Sequence, residues 1–456
     1  MILKSYILML LSCFVITAVK AQTQLRENIF SQKLPNGLTV LVIEDNSVPL
    51  VTISMTFKNG SFTESPIYSG LTYMYHNMLF RANKDYGSSD MVAYYASKSG
   101  MIRNTSAAEE KAECHFTMPN IGVDEGLRYM NSAMRFPLLD EKSLAEAKGI
   151  SNRELQVKET NSLFALGAAV DQHLWGNLYN RKRAIGNHAS IQSATLSLMD
   201  SVQKRYYYPN NALLTIAGSI SHEKIFTKVN ELFASWQSSV FDPFKKWQVP
   251  LFKPIIKTQY FTVESATATV PYITLGWQGP NTQMDIQSTY TADVFSNIVM
   301  QNTSRLKKAL LQSGLALEID FNYLTLRRGG PITFMIKPNP LKIKECLAEA
   351  KRQINLFDSD DYITAQQIAT AQRKLEIGQI RREEISSNFV NTLAFWWASA
   401  SLNYYFTYLD NLQKINKADL QAYVRKYIKN KPYCAGLLIS PELRSQLKTD
   451  DFFKAD

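Results

Sequence analysis

Cysteine and histidine are scarce in this chain, and their scarcity limits the chemistry that it can support. The 456 residues contain four cysteines and five histidines. Cys13, Cys114, Cys346 and Cys434 lie too far apart for a zinc knuckle or a dense disulfide framework. Cys13 falls in an amino-terminal segment treated below. We expect the other three to be buried thiols, and a disulfide between two of them stays open in an oxidising compartment.

Long apolar runs and clusters of positive charge are missing as well. After residue 21, no stretch approaches the roughly 18 apolar residues that a membrane span needs. The formal net charge is +10, but the basic residues are scattered, and the pair Arg381-Arg382 is followed at once by Glu383. The composition therefore predicts no membrane span after residue 21 and disfavours a nucleic-acid partner.

Residues 1–21 have the pattern of a secretory signal peptide. Lys4 precedes an apolar run at residues 6–18, and Ala18-Val19-Lys20-Ala21 offers a cleavage site with small residues. We expect an exported protein, periplasmic or extracellular. A lipoprotein anchored at Cys13 is the alternative, because Leu11-Ser12-Cys13 also suits lipidation.

Hydrophobic patterning predicts an α+β fold with two tandem related domains, each a mainly antiparallel sheet with helices packed on one face. The predicted domains are residues 22–236 and 259–456, joined by a proline-containing linker at 237–258. Strand patterns include residues 50–57, where apolar and polar residues alternate, and residues 100–106. Helical patterns include residues 70–80, 123–136, 143–160, 189–208 and 290–311.

The helix at residues 70–80 has the frame of a zinc-binding helix without its ligands. Tyr73, His76 and Asn77 project side by side, because residues three and four apart share one helical face. A catalytic zinc helix carries two His ligands at i and i+4, with a Glu as general base, and the inverted motif is H-x-x-E-H. The same three positions here hold a phenol, an imidazole and an amide.

Several fragments, in order and spacing, resemble the insulinase and pitrilysin family of zinc metallopeptidases, the inverzincins. They are residues 34–38, 58–64, 70–80, 207–218 and 304–316. The resemblance covers nearly the whole chain after residue 21, and it implies two α+β domains that enclose a cleft.

The resemblance assigns roles to the helix positions. Tyr73 stands at the first zinc His, His76 at the general-base Glu and Asn77 at the second zinc His. Glu154 is the only ligand position that is retained, and Ala147 replaces the acidic residue that supports it. In the second half, the family's substrate-contacting Tyr falls at Leu317, and its Arg falls at Leu310 or Leu311.

These replacements predict a protein that is inactive on its own. A phenol and an amide are poor zinc ligands at neutral pH, and imidazole cannot replace the carboxylate base. We expect no cofactor, with zinc as the alternative for a weak metalloendopeptidase. The main interpretation is a structural or regulatory subunit of a peptidase complex, acting as a homodimer or with an active homologue.

A further alternative is a module that binds peptides without cutting them. The resemblance implies that Arg103, Asn104, Thr105 and Ser106 form an edge strand that holds peptide or polypeptide segments. Pairing of an added strand relies mainly on main-chain hydrogen bonds, so it can persist after the metal site is lost.

Overall fold

A computed structural model describes residues 27–447 and 452–453. The expected signal peptide at 1–21 and the alternative anchor Cys13 lie outside the described residues, so both stay predictions. In the described part of the chain, no helix has the length and apolar character needed to cross a membrane. Cys114, Cys346 and Cys434 are buried free thiols, as the sequence favours.

The described residues form eleven strands and eighteen α-helices. The strands are β1 (Ile29–Lys33), β2 (Thr39–Glu44), β3 (Leu50–Phe57), β4 (Ile102–Ala107), β5 (Ala112–Pro119), β6 (Ala212–Gly218), β7 (Gln259–Glu264), β8 (Tyr272–Gln278), β9 (Ala316–Tyr323), β10 (Pro331–Pro338) and β11 (Cys434–Ile439). The helices of the first half are α1 (Leu71–Leu79), α2 (Ser89–Lys98), α3 (Val123–Arg135), α4 (Glu141–Glu159), α5 (Ser162–Trp175), α6 (His188–Ser193), α7 (Leu196–Tyr206), α8 (His222–Phe233) and α9 (Pro243–Lys246). Those of the second half are α10 (Ile286–Val299), α11 (Arg305–Lys307), α12 (Ile343–Leu356), α13 (Ala365–Glu383), α14 (Ser386–Ser399), α15 (Leu402–Phe406), α16 (Tyr408–Gln413), α17 (Lys417–Tyr427) and α18 (Pro441–Leu447).

Each half of the chain builds one sheet. The first has the order β1-β2-β6-β3-β5-β4 and the second the order β7-β11-β8-β10-β9. Only the pairs β2–β6 and β7–β11 are parallel among these strands. One large apolar core lies between each sheet and its own helices. The predicted α+β class, with two tandem and mainly antiparallel sheets, is confirmed.

The two halves are joined because one helix of each half packs on the sheet of the other half. Phe389, Val390 and Leu393 of α14 pack on alternate residues of β2 and β6 in the first sheet. Val170 and Leu174 of α5 pack against β11 in the second sheet. The second face of each sheet is therefore covered as well, which explains why β6 is buried at every residue.

Two segments predicted as continuous helices are interrupted in the structure, so the prediction of their continuity is wrong. The segment 189–208 is divided into α6 and α7, because the Thr195 hydroxyl accepts the Leu198 N–H and starts a new helix. The segment 290–311 is also interrupted. There α10 ends at Val299, the Ser304 hydroxyl accepts the Lys307 N–H at the start of α11, and a π-helical turn follows.

Candidate functional site

The position of α1 is fixed by a buried carboxylate ahead of it. Glu64 accepts the backbone N–H groups of Gly70 at 2.8 Å and Thr72 at 2.9 Å, both at the start of the helix. Burial raises the pKa of Glu64 to about 7, although both N–H groups favour its charged form. Gly70 has φ 79°, and a Cβ there would meet the Ile185 carbonyl oxygen at 2.6 Å, so this turn requires glycine.

Tyr73 and Glu154 meet across the contact between α1 and α4. The Tyr73 hydroxyl donates a hydrogen bond to the Glu154 carboxylate, and both side chains are half-buried. Burial and then the Glu154 charge raise the pKa of Tyr73 above its usual value. The phenol therefore stays protonated, and it already holds the carboxylate at the retained ligand position.

His76 points into the core. Its side chain is 1% exposed, its Nε2 lies 2.6 Å from the Tyr207 hydroxyl, and its Nδ1 lies 3.3 Å from Cys114 Sγ. Burial lowers the pKa of His76 to about 3, so the imidazole is neutral at ordinary pH. Both ring nitrogens already have partners, and neither can take a proton from a water molecule in a cleft.

The contact between Cys114 and His76 does not make a nucleophilic pair. Such a pair needs an accessible thiolate that is stabilised by a protonated or basic imidazole. Cys114 is fully buried, and burial raises the pKa of its thiol well above the usual value, while the pKa of His76 is lowered. The thiol and the imidazole therefore both stay neutral.

Asn77 faces a polar groove of about 720 Å³ beside the edge of the first sheet. Its Nδ2 has no hydrogen-bond acceptor among the described residues. Arg81 and Glu146 form an ion pair at the same groove. Arg103 also lines it, and its guanidinium donates to the Phe80 carbonyl at 2.7 Å and to a tyrosine hydroxyl.

The predicted site residues lie in three separate groups in the structure. Asn77 shares the groove with Arg103, Asn104 and Thr105, which belong to the edge strand β4. Ser106 lies on the same strand but does not line the groove. Tyr73 pairs with Glu154, and His76 lies apart in the core. Ala147, at the position of the supporting acidic residue, is fully buried.

The second-half positions supply no polar group to this site. Leu310 is buried in the core of the second half, and Leu311 packs against that core. Leu317 lies on the edge strand β9 and is 57% exposed. Leucine side chains cannot donate hydrogen bonds to a peptide carbonyl or an oxyanion.

The residues around α1 do not fit a zinc ion. A catalytic site needs three protein ligands from imidazole, carboxylate or thiolate, and of the three ligand positions only Glu154 holds one. The nearby Glu146 carboxylate is already paired with Arg81. Elsewhere, Glu44, His222 and Glu223 offer atoms within 4.8 Å of one another. Glu44 is 178 residues from His222, so the sequence gives no spacing signal for this group. The His222 Nδ1 lies 2.8 Å from Glu44 Oε1, so a hydrogen bond between these two side chains accounts for the cluster.

The buried imidazole of His76 leads to a pH prediction. The folded chain binds its proton only near pH 3, whereas an unfolded histidine binds it near 6.5. The stability that depends on a neutral His76 is therefore complete above pH 6.5 and decreases as the pH falls. Relative to the variant His76→Gln, we expect the wild-type free energy of unfolding to fall by about 1 kcal/mol per pH unit below about pH 6.

Urea unfolding of both proteins between about pH 6.5 and 4.5 measures this difference. Buried carboxyl groups such as Glu64 and Asp293, whose pKa values are raised to about 7, titrate in both proteins and cancel in the difference. If the wild type and His76→Gln differ by the same free energy of unfolding at every pH in this range, the folded chain protonates His76 as readily as the unfolded chain.

Two family models match the chain. Residues 39–184 match the model described as Insulinase (Peptidase family M16), and residues 193–375 match the model described as Peptidase M16 inactive domain. The zinc protease YmfH of Bacillus subtilis, itself uncharacterized, is 25% identical over 213 residues, or 46% of this chain and 50% of the relative. The chain spans about half the length of the curated relatives that it matches.

Solved structures share the fold. A protease from Helicobacter pylori has a TM-score of 0.80 at 18% identity, and the match covers 90% of this chain and 99% of that chain. Pitrilysin has a TM-score of 0.75 at 16% identity, and the match covers 91% of this chain but 45% of pitrilysin. At these identities the likeness shows the architecture of the chain and leaves its chemistry to the residues described above.

Proposed function

We propose that this chain, which belongs to the insulinase family of peptidases (peptidase family M16), is a non-cleaving member that binds extended peptides and acts as a structural or regulatory subunit. The observation that carries the proposal is the hydrogen bond from Tyr73 to Glu154. Tyr73 lies on α1, the helix where the family carries its zinc histidines. Its hydroxyl is bonded to the one carboxylate that the metal site would need, that of Glu154 on α4.

The residues at the other two positions support the same conclusion. Asn77 offers an amide, which binds zinc more weakly than imidazole does. His76 is buried, neutral and bonded at both ring nitrogens, so it does not serve as the general base. No step of peptide hydrolysis can be assigned to this set of side chains.

Peptide binding is supported by the edge of the first sheet. β4 pairs with β5 on one side only, and its residues are half-buried or exposed. The groove beside it is polar, and it is lined by Asn77 together with residues of β4. A peptide added antiparallel or parallel to β4 would pair with the main-chain groups on its unpaired side.

Proline substitutions along β4 test this proposal. In an antiparallel edge strand, the N–H groups of successive residues point alternately toward the neighbouring strand and away from it. One of Asn104→Pro and Thr105→Pro therefore removes a bond to β5, and the other removes a free donor. We expect the variant that keeps its stability to lose binding of an extended fluorescent peptide by about tenfold or more.

Thermal unfolding identifies which variant keeps its stability, and fluorescence anisotropy measures peptide binding. Ile121→Pro serves as a matched control, because Ile121 is 94% exposed and lies outside the sheet. Equal peptide affinity in the wild type and in the stable β4 variant would rule out binding by strand addition.

The proposed subunit role includes export and a partner. Residues 1–21 support export, with a lipid anchor at Cys13 as the alternative. The match to 45% of pitrilysin supports pairing with a second copy or with a homologue that retains H-x-x-E-H. Light scattering of the processed chain, alone and with such a homologue, should give a dimer in one of the two samples. A monomer in both would remove the subunit role and leave the peptide-binding role standing.

A further inference from the structure

We propose that a pocket formed by the linker and the second half binds an amphipathic anion, meaning an acyl chain with one anionic head group. This linker pocket has a volume of about 540 Å³. It is lined by Trp175 at the end of α5, by linker residues between 250 and 255, by Lys426 and Tyr427 at the end of α17, and by residues of the segments 278–285, 327–329 and 431–432. It lies outside the peptide groove and shares no residue with it.

The wall of the linker pocket is apolar. Trp175 is 5% exposed and packs against Phe252 with ring centroids 4.6 Å apart. Leu251 and Met284 also line the pocket and are 61% and 74% exposed. Large aliphatic side chains with this exposure lose contact with water when an apolar ligand covers them, which favours binding.

The charge of the lining is positive. Arg327, Arg328, Lys426 and Lys431 line the pocket with a single carboxylate, Asp285. That carboxylate is neutralised locally, since Lys426 Nζ and the Tyr427 hydroxyl both lie 2.6 Å from its Oδ2.

One of the remaining cations, Lys431, retains its donors for a ligand. Lys431 is exposed and has no carboxylate partner among the described residues, whereas Arg328 lies beside the buried Glu110 carboxylate, which accepts its backbone N–H at 2.7 Å. The Arg327 guanidinium is held by carbonyl oxygens, Ala400 at 2.6 Å and Ala398 at 3.2 Å. Lys431 thus leaves a positive charge at the pocket that no carboxylate of the lining neutralises, and an anion complements it.

Two neutral polar side chains of the wall, Gln278 and Asn281, already make hydrogen bonds within the chain. The Gln278 amide donates to the Leu174 and Lys253 carbonyls at 2.6 and 3.0 Å and accepts the Ile255 N–H at 3.2 Å. Asn281 Oδ1 accepts two backbone N–H groups. A peptide would bring amides that need partners here, whereas an acyl chain brings none. This difference favours a ligand with one charged end over a peptide segment.

Binding of decanoate to the full processed chain tests the proposal. Displacement of an anilinonaphthalene sulfonate dye should give a saturable, one-site curve for decanoate, with weak or no displacement by decanol and by decyltrimethylammonium. We expect Lys431→Glu and Leu251→Asp each to weaken decanoate binding by about tenfold, because they remove positive charge and apolar contact respectively. Lys245→Glu and Val240→Asp are matched controls on exposed linker residues that do not line the pocket, and they should bind as the wild type does.

The outcomes are distinct. No saturable decanoate binding, equal binding of decanol, or unchanged binding in both pocket variants would overturn the proposal. Sedimentation with phosphatidylglycerol vesicles identifies the source of the ligand. Vesicle binding that the pocket variants lose indicates a membrane lipid, and decanoate binding without vesicle binding indicates a free amphiphile.

Discussion

Replacing Leu393 with alanine is expected to lower the free energy of unfolding by about 2–5 kcal/mol, as is usual when a buried leucine leaves a cavity. Leu393 is fully buried, although it belongs to the second half and packs on the sheet of the first. The cavity should therefore weaken the junction between the halves. Urea unfolding followed by circular dichroism measures the loss.

Hydrogen exchange gives a second, more specific readout of the same variant. Exchange should accelerate in β2 and β6 of the first sheet, which lie far from residue 393 in sequence. Ile377→Ala is the matched control, since Ile377 is 44% exposed on the neighbouring α13 and should cost less than about 0.5 kcal/mol. A Leu393→Ala protein as stable as this control would contradict the role of α14 in joining the halves.

Restoring two histidines on α1 is expected to create a zinc site. Tyr73 already reaches Glu154, and Asn77 lies one helical turn further on the same face with an amide that lacks an acceptor. In the double variant Tyr73→His/Asn77→His, two imidazoles and Glu154 supply the three ligands of a catalytic zinc site. We expect about one equivalent of zinc to remain after gel filtration, compared with less than about 0.1 in the wild type.

This restored site should still not cleave peptides, because His76 keeps its buried bonds to Tyr207 and Cys114 and no carboxylate base is present. Addition of Glu154→Gln to the double variant is the control, and it should release the metal. Failure of the double variant to retain zinc would show that residues 73, 77 and 154 do not have the geometry of a former metal site.

The periodicity of apolar residues along the sequence predicts much of the secondary structure. β3 occupies the predicted residues 50–57, and α1 begins and ends within one residue of the prediction, because period-2 and period-3.6 patterns are properties of adjacent residues. The breaks within 189–208 and 290–311 depend on the caps Thr195 and Ser304, whose effect on a long apolar pattern is hard to weigh from the sequence.

The exchange of helices between the halves could not be predicted. No helix is predicted at α5, whose sequence contains Gly167 and β-branched Val170 and lacks a polar face of regular spacing. An apolar helical face indicates burial but does not say which sheet covers it. The apolar runs of β6, broken only by Thr215, and of β11 are the signal in the sequence that both faces of each sheet are covered.

In the candidate site too, the sequence predicts the local arrangement of residues but not the contacts between residues that are distant in the chain. Helical periodicity places Tyr73 and Asn77 on one face, and the family resemblance points to Glu154. The partners of His76 could not be predicted, because Tyr207 and Cys114 lie 131 and 38 residues away from it. Those partners decide its chemistry, since a histidine on an open helix face could bind a metal, and this buried one does not.

We propose that a hydrogen-bonded pair, Tyr73 and Glu154, replaces the metal site of a peptidase fold in this chain. Elemental analysis of wild-type protein purified without chelators, with peptide cleavage measured on the same sample, tests this replacement. We predict less than about 0.1 equivalent of zinc and no cleavage that 1,10-phenanthroline inhibits. About one equivalent of zinc, lost in Glu154→Gln together with chelator-sensitive cleavage, would contradict the claim.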